Sequence, residues 1–300
     1  MSGCTLCPRR CGADRDKGRG ACGGGGMIRL ARAALHRYEE PCISVGAGSG
    51  AVFFSGCTLR CTYCQNYEIS SGNYGFDVTP ERFCEILYEL KAAGAVNINL
   101  VTADHYIPLI APILKREKRS LGIPVVYNCS GYESLEMLAM LDGLVDVYLV
   151  DFKYATNDLG ERLSGVRDYT DVALAAIGEM YRQVGRVEFD ASGKLQKGIL
   201  LRHLVLPGFR KNSLEALSLI ASLLPVGEIR LSLMSQFTPN GVAKEPCRTL
   251  TRFEYDSVSE RALSLGFAGY FQEFSSQKSE YTPDFNGEGV TKSLTIPDNA

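Results

Sequence analysis

The chain has 300 residues, 45% of them hydrophobic and 22% charged, which is enough for one large core or two smaller ones. Its formal net charge is -2 with no long basic block, which excludes binding driven by nucleic-acid phosphates. No stretch approaches the ~18 apolar residues that span a bilayer, and the polar, cysteine-rich start does not read as a signal peptide.

The first element in chain order is a group of thiols, Cys4, Cys7, Cys11 and Cys22. Residues 51–56 (AVFFSG) then form a short apolar run of strand type, and a second thiol group, Cys57, Cys61 and Cys64, follows it directly. Residues 80–94 carry Phe83, Ile86, Leu87 and Leu90 at helical spacing, with Gly94 as a stop. Strand NINLVT (97–102), a helical stretch to about Leu121 and strand IPVVYN (123–128) come next. The mixed-sign run Lys115 to Arg119 reads as a solvated helix face. A helix over 134–141, strand DVYLVDF (146–152) and a helix over 168–184 continue the series. VGRVEFD and KGILLRHLVL flank a glycine turn and read as a hairpin. Helix 212–224 and strand 228–234 complete the core, and residues 275–300 read as a loosely packed tail.

Strands and helices thus alternate about six times, and the strand runs are mostly continuous and apolar, as in a parallel sheet buried on both faces. Polar residues recur just past strand ends: the second cysteine group, Thr102, Asn128, Asp151 with Lys153, His203 and Gln236. That edge is where α/β barrels and open α/β sheets bind ligands. The expected fold is a partial, barrel-like α/β sheet of six main strands. The expected division is a cysteine-rich metal-binding segment over 1–45, the barrel over 46–274 and the tail over 275–300.

Eleven cysteines are present and seven of them fall in the two groups. Clustered thiols without a secretory leader read as metal ligands in the reducing cytoplasm rather than as a disulfide framework. Four thiolates complete a cluster of four irons, whereas three leave one iron without a protein ligand, open to a substrate or cofactor. Cys57, Cys61 and Cys64 are such a set of three. A zinc site completed by a distant residue is the alternative, although zinc more often uses paired C-x2-C knuckles. Cys4, Cys7, Cys11 and Cys22 are a complete set of four, suited to tetrahedral zinc or to a closed [4Fe–4S] cluster, and the spacing does not separate the two. Cys42, Cys84 and Cys247 read as ordinary small residues, and His36 and His105 as structural.

The loop CTLRCTYC, Cys57 to Cys64, resembles the signature of the radical S-adenosylmethionine (SAM) superfamily. The segments CTLCPRRCG, FFSGCTLRCTYCQNYEIS, NINLVT, VYNCSGYE, VDFKY, RHLVLPG and LMSQFTP are similar to a branch related to the activating enzymes of glycyl radical enzymes, such as that of pyruvate formate-lyase. The resemblance covers about residues 4 to 272. It implies a partial (β/α)6 barrel and a [4Fe–4S] cluster on Cys57, Cys61 and Cys64 whose open iron chelates SAM. It implies reductive cleavage of SAM to methionine and a 5′-deoxyadenosyl radical that abstracts hydrogen, with a flavodoxin- or ferredoxin-type electron donor. By the same resemblance, Asn128 and Ser130 face the methionine part of SAM, Asp151 and Lys153 lie next to it, and Arg202 stands at its carboxylate.

The Gly-Gly-Glu motif that many relatives carry after the second strand is absent; Thr102 or backbone carbonyls stand in its place. Gly46-x-Gly48-x-Gly50 precedes its strand instead of following one, which rules out a dinucleotide fingerprint, and reads as a flexible turn approaching the cluster. Three functions are open at this stage: hydrogen abstraction from a protein partner, radical chemistry on a small molecule or peptide, and a non-catalytic iron–sulfur carrier or zinc-binding interaction module.

Overall fold

The computed structural model describes residues 3–239, 245–274 and 283–291. In chain order the elements are β1 (Ile28–His36), β2 (Ser49–Phe54), α1 (Tyr67–Ser70), β3 (Phe76–Val78), α2 (Pro80–Ala92), β4 (Ile98–Val101), α3 (Ile107–Leu121), β5 (Val125–Cys129) and α4 (Leu135–Leu141). They continue with β6 (Val147–Asp151), α5 (Asn157–Ser164), α6 (Tyr169–Val184), β7 (Glu188–Phe189), β8 (Leu195–Leu204), α7 (Arg210–Leu223), β9 (Arg230–Met234), α8 (Arg252–Ser264) and β10 (Gly269–Phe271).

Strands β2, β4, β5, β6, β8, β9 and β10 run parallel in that order, each pair joined by a crossover that carries at least one helix. β1 adds antiparallel to β2, and β3 to β1, so the sheet order begins at β10 and ends at β3. This is the partial barrel that the alternation predicts. β1 belongs to this sheet although it falls inside the segment assigned to the cysteine-rich module. The helices begin where the sequence supplies caps: Thr79 before Pro80, Ser134, Thr156, and a Thr251–Glu254 capping box.

The two-residue period of a strand decides which side chains reach the site. Leu100, Tyr127, Tyr148, Ile199 and Leu201 join the large core shared with the helices. Val126, Val147, Leu149 and Leu200 form a second, interior cluster with Cys42 and Ile43. Stepping by two from these interior residues along β5, β6 and β8 gives Asn128, Asp151 and Arg202. The register sets Asp151 opposite Arg202 at the carboxyl ends of their strands.

The β1–β2 connection stops the amino end of the barrel: Leu195 donates its amide to the Cys42 carbonyl, and Asn97 donates its side-chain amide to the Ile43 carbonyl. Gly46, Gly48 and Gly50 lie at this end. Because β2 runs from here toward the thiol loop, the three glycines stand at the opposite edge of the barrel and do not approach that loop. Gly50 is required there by packing, since a Cβ would come within 2.9 Å of the Asn97 carbonyl oxygen.

Residues 283–291, part of the segment expected to pack loosely, lie against β1. Ala33 donates to the Glu288 carbonyl at 2.8 Å, Gly287 to that of Ala31 at 3.0 Å, and Phe285 meets Phe53 edge-on at 5.5 Å. Residues 275–282 and 292–300 of that segment lie outside the described residues. Among the described residues, no helix is long and apolar enough to cross a membrane.

Candidate active site

The loop after β2 turns at Gly56, whose φ is 88°. It places Cys57, Cys61 and Cys64 at the wall of a cavity of about 210 Å3 on the carboxyl side of the sheet. The same cavity is bordered by Thr102, Asn128, Ser130, Asp151, Lys153, Arg202 and Gln236, so all six candidate SAM-contact residues share one space with the three thiols. Thr102 has a left-handed φ of 61°, a strained conformation for a β-branched residue.

The three sulfurs are held by the loop and its neighbours. Cys57 Sγ accepts the Leu59 amide at 3.4 Å, Cys61 Sγ lies 2.9 Å from Ser164 Oγ, and Cys64 Sγ lies 3.3 Å from Ser70 Oγ. Burial pushes the Cys57 thiol well up, and the charges of Asp104, Cys61 and Cys64 push it further. Cys61 is also raised by burial, against the opposing charge of Lys153. Thiolates that raise one another in a buried wall need positive charge between them, which iron supplies.

Beneath the thiols lies a charged floor. Arg202 Nε donates to Asp151 Oδ1 at 2.8 Å and Arg202 Nη2 to Asn128 Oδ1 at 2.7 Å, while Lys153 Nζ donates to Asp151 Oδ2. Burial alone would raise the Asp151 carboxyl, but Arg202 and Lys153 outweigh it and hold it below the usual carboxylate range. Glu39, from the β1–β2 connection, reaches the interior from below. Its Oε2 accepts Asn99 Nδ2 at 2.7 Å and Asn128 Nδ2 at 3.1 Å, and its Oε1 lies 3.4 Å from Arg202 Nη1. Glu40 beside it is pushed up to about 7 by burial, against the pull of Arg202.

Glu39 and Ser164 are site residues that sequence reading missed. Both lie on segments without a strand-end signal, and only long-range packing brings Glu39 to the cavity and Ser164 to Cys61. His203 goes the other way. It sits beside Arg202 in sequence, so the period of two turns it outward, where it contacts the Phe152 carbonyl at 2.6 Å and Ser213 Oγ of α7 at 2.9 Å. It pins α7 to the sheet and is not part of the ligand rim. Cys129 borders the cavity between Asn128 and Ser130, and burial, with the charge of Glu133, raises its thiol far above its ordinary value. His105 holds the end of β2, with Nε2 at 2.9 Å from the Ser55 carbonyl.

A parallel α/β sheet that brings three thiols and a charged floor to one cavity at its carboxyl edge is a site whose donors suit an iron–sulfur cluster. The sequence pattern of the Radical SAM superfamily matches residues 51–216. The chain belongs to the radical SAM superfamily. It is 30% identical over 272 residues to an uncharacterised protein of Methanocaldococcus jannaschii, covering 87% of this chain and 73% of that one. Among solved structures, it resembles a radical SAM methyltransferase from Sphaerobacter thermophilus with a TM-score of 0.51 at 15% identity, covering 75% of this chain and 66% of the methyltransferase. Streptococcus suis SuiB gives a TM-score of 0.49 at 12% identity, and the chain spans 47% of that protein while 75% of this chain is covered. A domain of pyruvate-formate lyase-activating enzyme from Bacteroides vulgatus gives 0.41 at 16% identity over 56% of this chain and 92% of the domain. At these identities the likeness is one of fold alone.

Proposed function

We propose that this chain cleaves SAM reductively and uses the product radical to take a hydrogen atom from a protein substrate, in the manner of the glycyl radical activating enzymes it resembles. The observation that carries the reading is the single cavity shared by Cys57, Cys61 and Cys64 with Asn128, Asp151, Lys153 and Arg202. When bound, the cluster supplies one electron that breaks the sulfonium S–C5′ bond of SAM, giving methionine and the 5′-deoxyadenosyl radical.

The residues of the chain do the positioning. Cys57, Cys61 and Cys64 hold the cluster and leave one coordination place for SAM. Lys153 and Arg202 offer positive charge to the SAM carboxylate, and Asp151 and Glu39 offset the positive charge of its amino and sulfonium groups. Asn128 and Ser130 supply neutral hydrogen-bonding groups at the rim, and the turn at Thr102 takes the place of the missing Gly-Gly-Glu contact. Phe53, Ile69 and Val101 give the wall an apolar side that keeps water from the radical.

What supports a protein substrate is the resemblance of the sequence motifs to the activating enzymes of glycyl radical enzymes. The electron donor fits the flavodoxin or ferredoxin class.

The test is anaerobic. Cluster-loaded protein with a strong reductant should form 5′-deoxyadenosine, and Cys61→Ala should not. Host extract is then divided by size: stimulation by the macromolecular fraction, lost on protease treatment, supports a protein substrate. Stimulation by the small-molecule filtrate overturns it, and absence of 5′-deoxyadenosine under all conditions overturns SAM cleavage itself.

A further inference from the structure

The four N-terminal cysteines converge around one volume. A Cβ placed on Gly20 would stand 3.3 Å from Cys11 Sγ and 3.5 Å from Cys22 Sγ. The Cys4 amide donates to the Ala13 carbonyl and the Gly12 amide to the Cys4 carbonyl, each at 3.0 Å, which brings the Cys4 and Cys11 parts of the loop together. Cys4, Cys7 and Cys22 are buried, yet the surrounding segment is glycine-rich and charged, with Leu6 its sole large apolar side chain between residues 3 and 26. Apolar burial cannot order such a segment, so its thiols need another reason to meet.

The backbone shows what that reason is. The amide of Gly24 donates to Cys22 Sγ at 3.4 Å, two residues after its cysteine, and Leu59 stands in the same relation to Cys57, also at 3.4 Å, so the two thiol loops share one local geometry. Zinc has no redox chemistry, whereas a cluster of four irons carries an electron, so the position of this set relative to the other thiol loop separates the two metals.

The two thiol sets touch. The Cys57 amide donates to the Cys22 carbonyl at 2.9 Å, and a Cβ on Gly56 would stand 2.3 Å from that oxygen. Arg15, itself 3% exposed, ties the segment down by donating to the His105 carbonyl at 2.6 Å and to the Gly25 carbonyl. Cys11 is the exposed member of the set.

We propose that Cys4, Cys7, Cys11 and Cys22 hold a second [4Fe–4S] cluster, docked through the Cys22–Cys57 peptide contact against the SAM-binding site as its electron-entry centre. A low-potential flavin or iron–sulfur carrier protein gives one electron at the Cys11 edge, and that electron is the one consumed when the S–C bond of SAM breaks. The site stands on its own geometry and does not depend on what the substrate is.

Iron, sulfide and zinc are measured on the anaerobically reconstituted full chain, followed by electron paramagnetic resonance after dithionite reduction. Two clusters give about eight irons per chain. They also give two signals, one shifted by SAM and one indifferent to it, broadened by magnetic coupling between the centres. Cys11→Ser, at an exposed position, should lose about half the iron and keep the signal that SAM shifts. About four irons with one zinc, a single SAM-responsive signal in the native chain, or unchanged iron in a folded Cys11→Ser protein would overturn the second cluster. Should that variant fail to fold, the native chain's iron count and spectrum decide alone. Two clusters without coupling would overturn the docked arrangement. Loss of SAM cleavage with both clusters present would count against the proposed SAM chemistry and not against this site.

Discussion

Ser164 Oγ lies 2.9 Å from Cys61 Sγ and ends a buried hydroxyl chain, in which Tyr154 lies 2.6 Å from Ser164 and Tyr63 lies 2.7 Å from Tyr154. Once Cys61 is a thiolate on iron it has no proton to give, so Ser164 must donate to it and each tyrosine must donate onward toward Ser164. Such a chain polarises along its length and steadies negative charge on sulfur.

Ser164→Ala should therefore make the Cys57–Cys61–Cys64 cluster harder to reduce. Hydrogen bonds to charged groups contribute roughly 1.5–3 kcal/mol, and part of that differs between oxidation states. A difference of about 1.4 kcal/mol corresponds to about 60 mV for a one-electron couple. A redox titration followed by paramagnetic resonance should show the midpoint falling by tens of millivolts, with iron content unchanged. Tyr154→Phe should move it the same way by less. An unchanged midpoint in Ser164→Ala would mean the hydroxyl is merely packed against the sulfur.

Glu39 gathers Asn99, Asn128 and Arg202 under the cavity. Glu39→Ala should leave two buried amide donors without an acceptor, at about 1–3 kcal/mol each. Glu39→Gln keeps an acceptor and should recover most of the stability while still weakening SAM binding, because the negative charge is gone. Urea denaturation and calorimetric SAM titration together separate the two effects. Equal SAM affinity in Glu39→Gln and the unaltered chain would confine Glu39 to a structural role.

How much of this site was legible beforehand follows from strand periodicity. Asn128, Asp151 and Arg202 end apolar runs in sequence, so a parallel sheet carries them to one rim. The same rule misplaced His203, because residue-level facing depends on register and not on nearness to a strand end. Gly46 to Gly50 were placed at the wrong edge because the direction of β2 comes from its parallel pairing with β4, a long-range fact. β1 went unseen, as its Arg29 and Arg32 interrupt the apolar pattern; both are used by partners outside the strand, Asp77 and Glu288. Glu39 and Ser164 could not be read locally, since their partners are 60 and 103 residues away.

Glu40 makes stability depend on pH. Its carboxyl is raised from 4.5 to about 7 by burial, so the folded chain holds a proton that the unfolded chain has already released. That contribution is fully present below pH 4.5 and is lost as pH rises through about 7. The loss amounts to about 3 kcal/mol by pH 7, at 1.36 kcal/mol for each pH unit of displacement. Glu40→Gln should remove this slope, giving a flatter stability profile between pH 5 and 7 in urea denaturation. A slope identical to that of the unaltered chain would show that Glu40 ionises normally.

Asp151 separates cofactor positioning from cluster binding. Its carboxylate joins Arg202 at 2.8 Å to Lys153, and none of the three is a cysteine ligand. Burial disfavours its charge, but the two cations dominate and lower its pKa, so its stabilising share is present above about pH 4 and lost in acid. Asp151→Ala leaves both cations buried beside each other, and breaking such a pair typically destabilises by about 3–5 kcal/mol. Asp151→Asn keeps an acceptor for Arg202 and is the variant to read. Iron content and the reduced-cluster spectrum should match the unaltered chain, because the thiol loop is untouched. SAM affinity should fall by about 10–100-fold, the usual effect of losing a group that orients a bound cofactor through its neighbours. Affinity is read by calorimetry under anaerobic conditions, and cleavage by chromatography of 5′-deoxyadenosine. If Asp151→Asn loaded its cluster and bound SAM as tightly as the unaltered chain, the charged floor would not face the cofactor, and the SAM-contact assignments at Lys153 and Arg202 would fall with it.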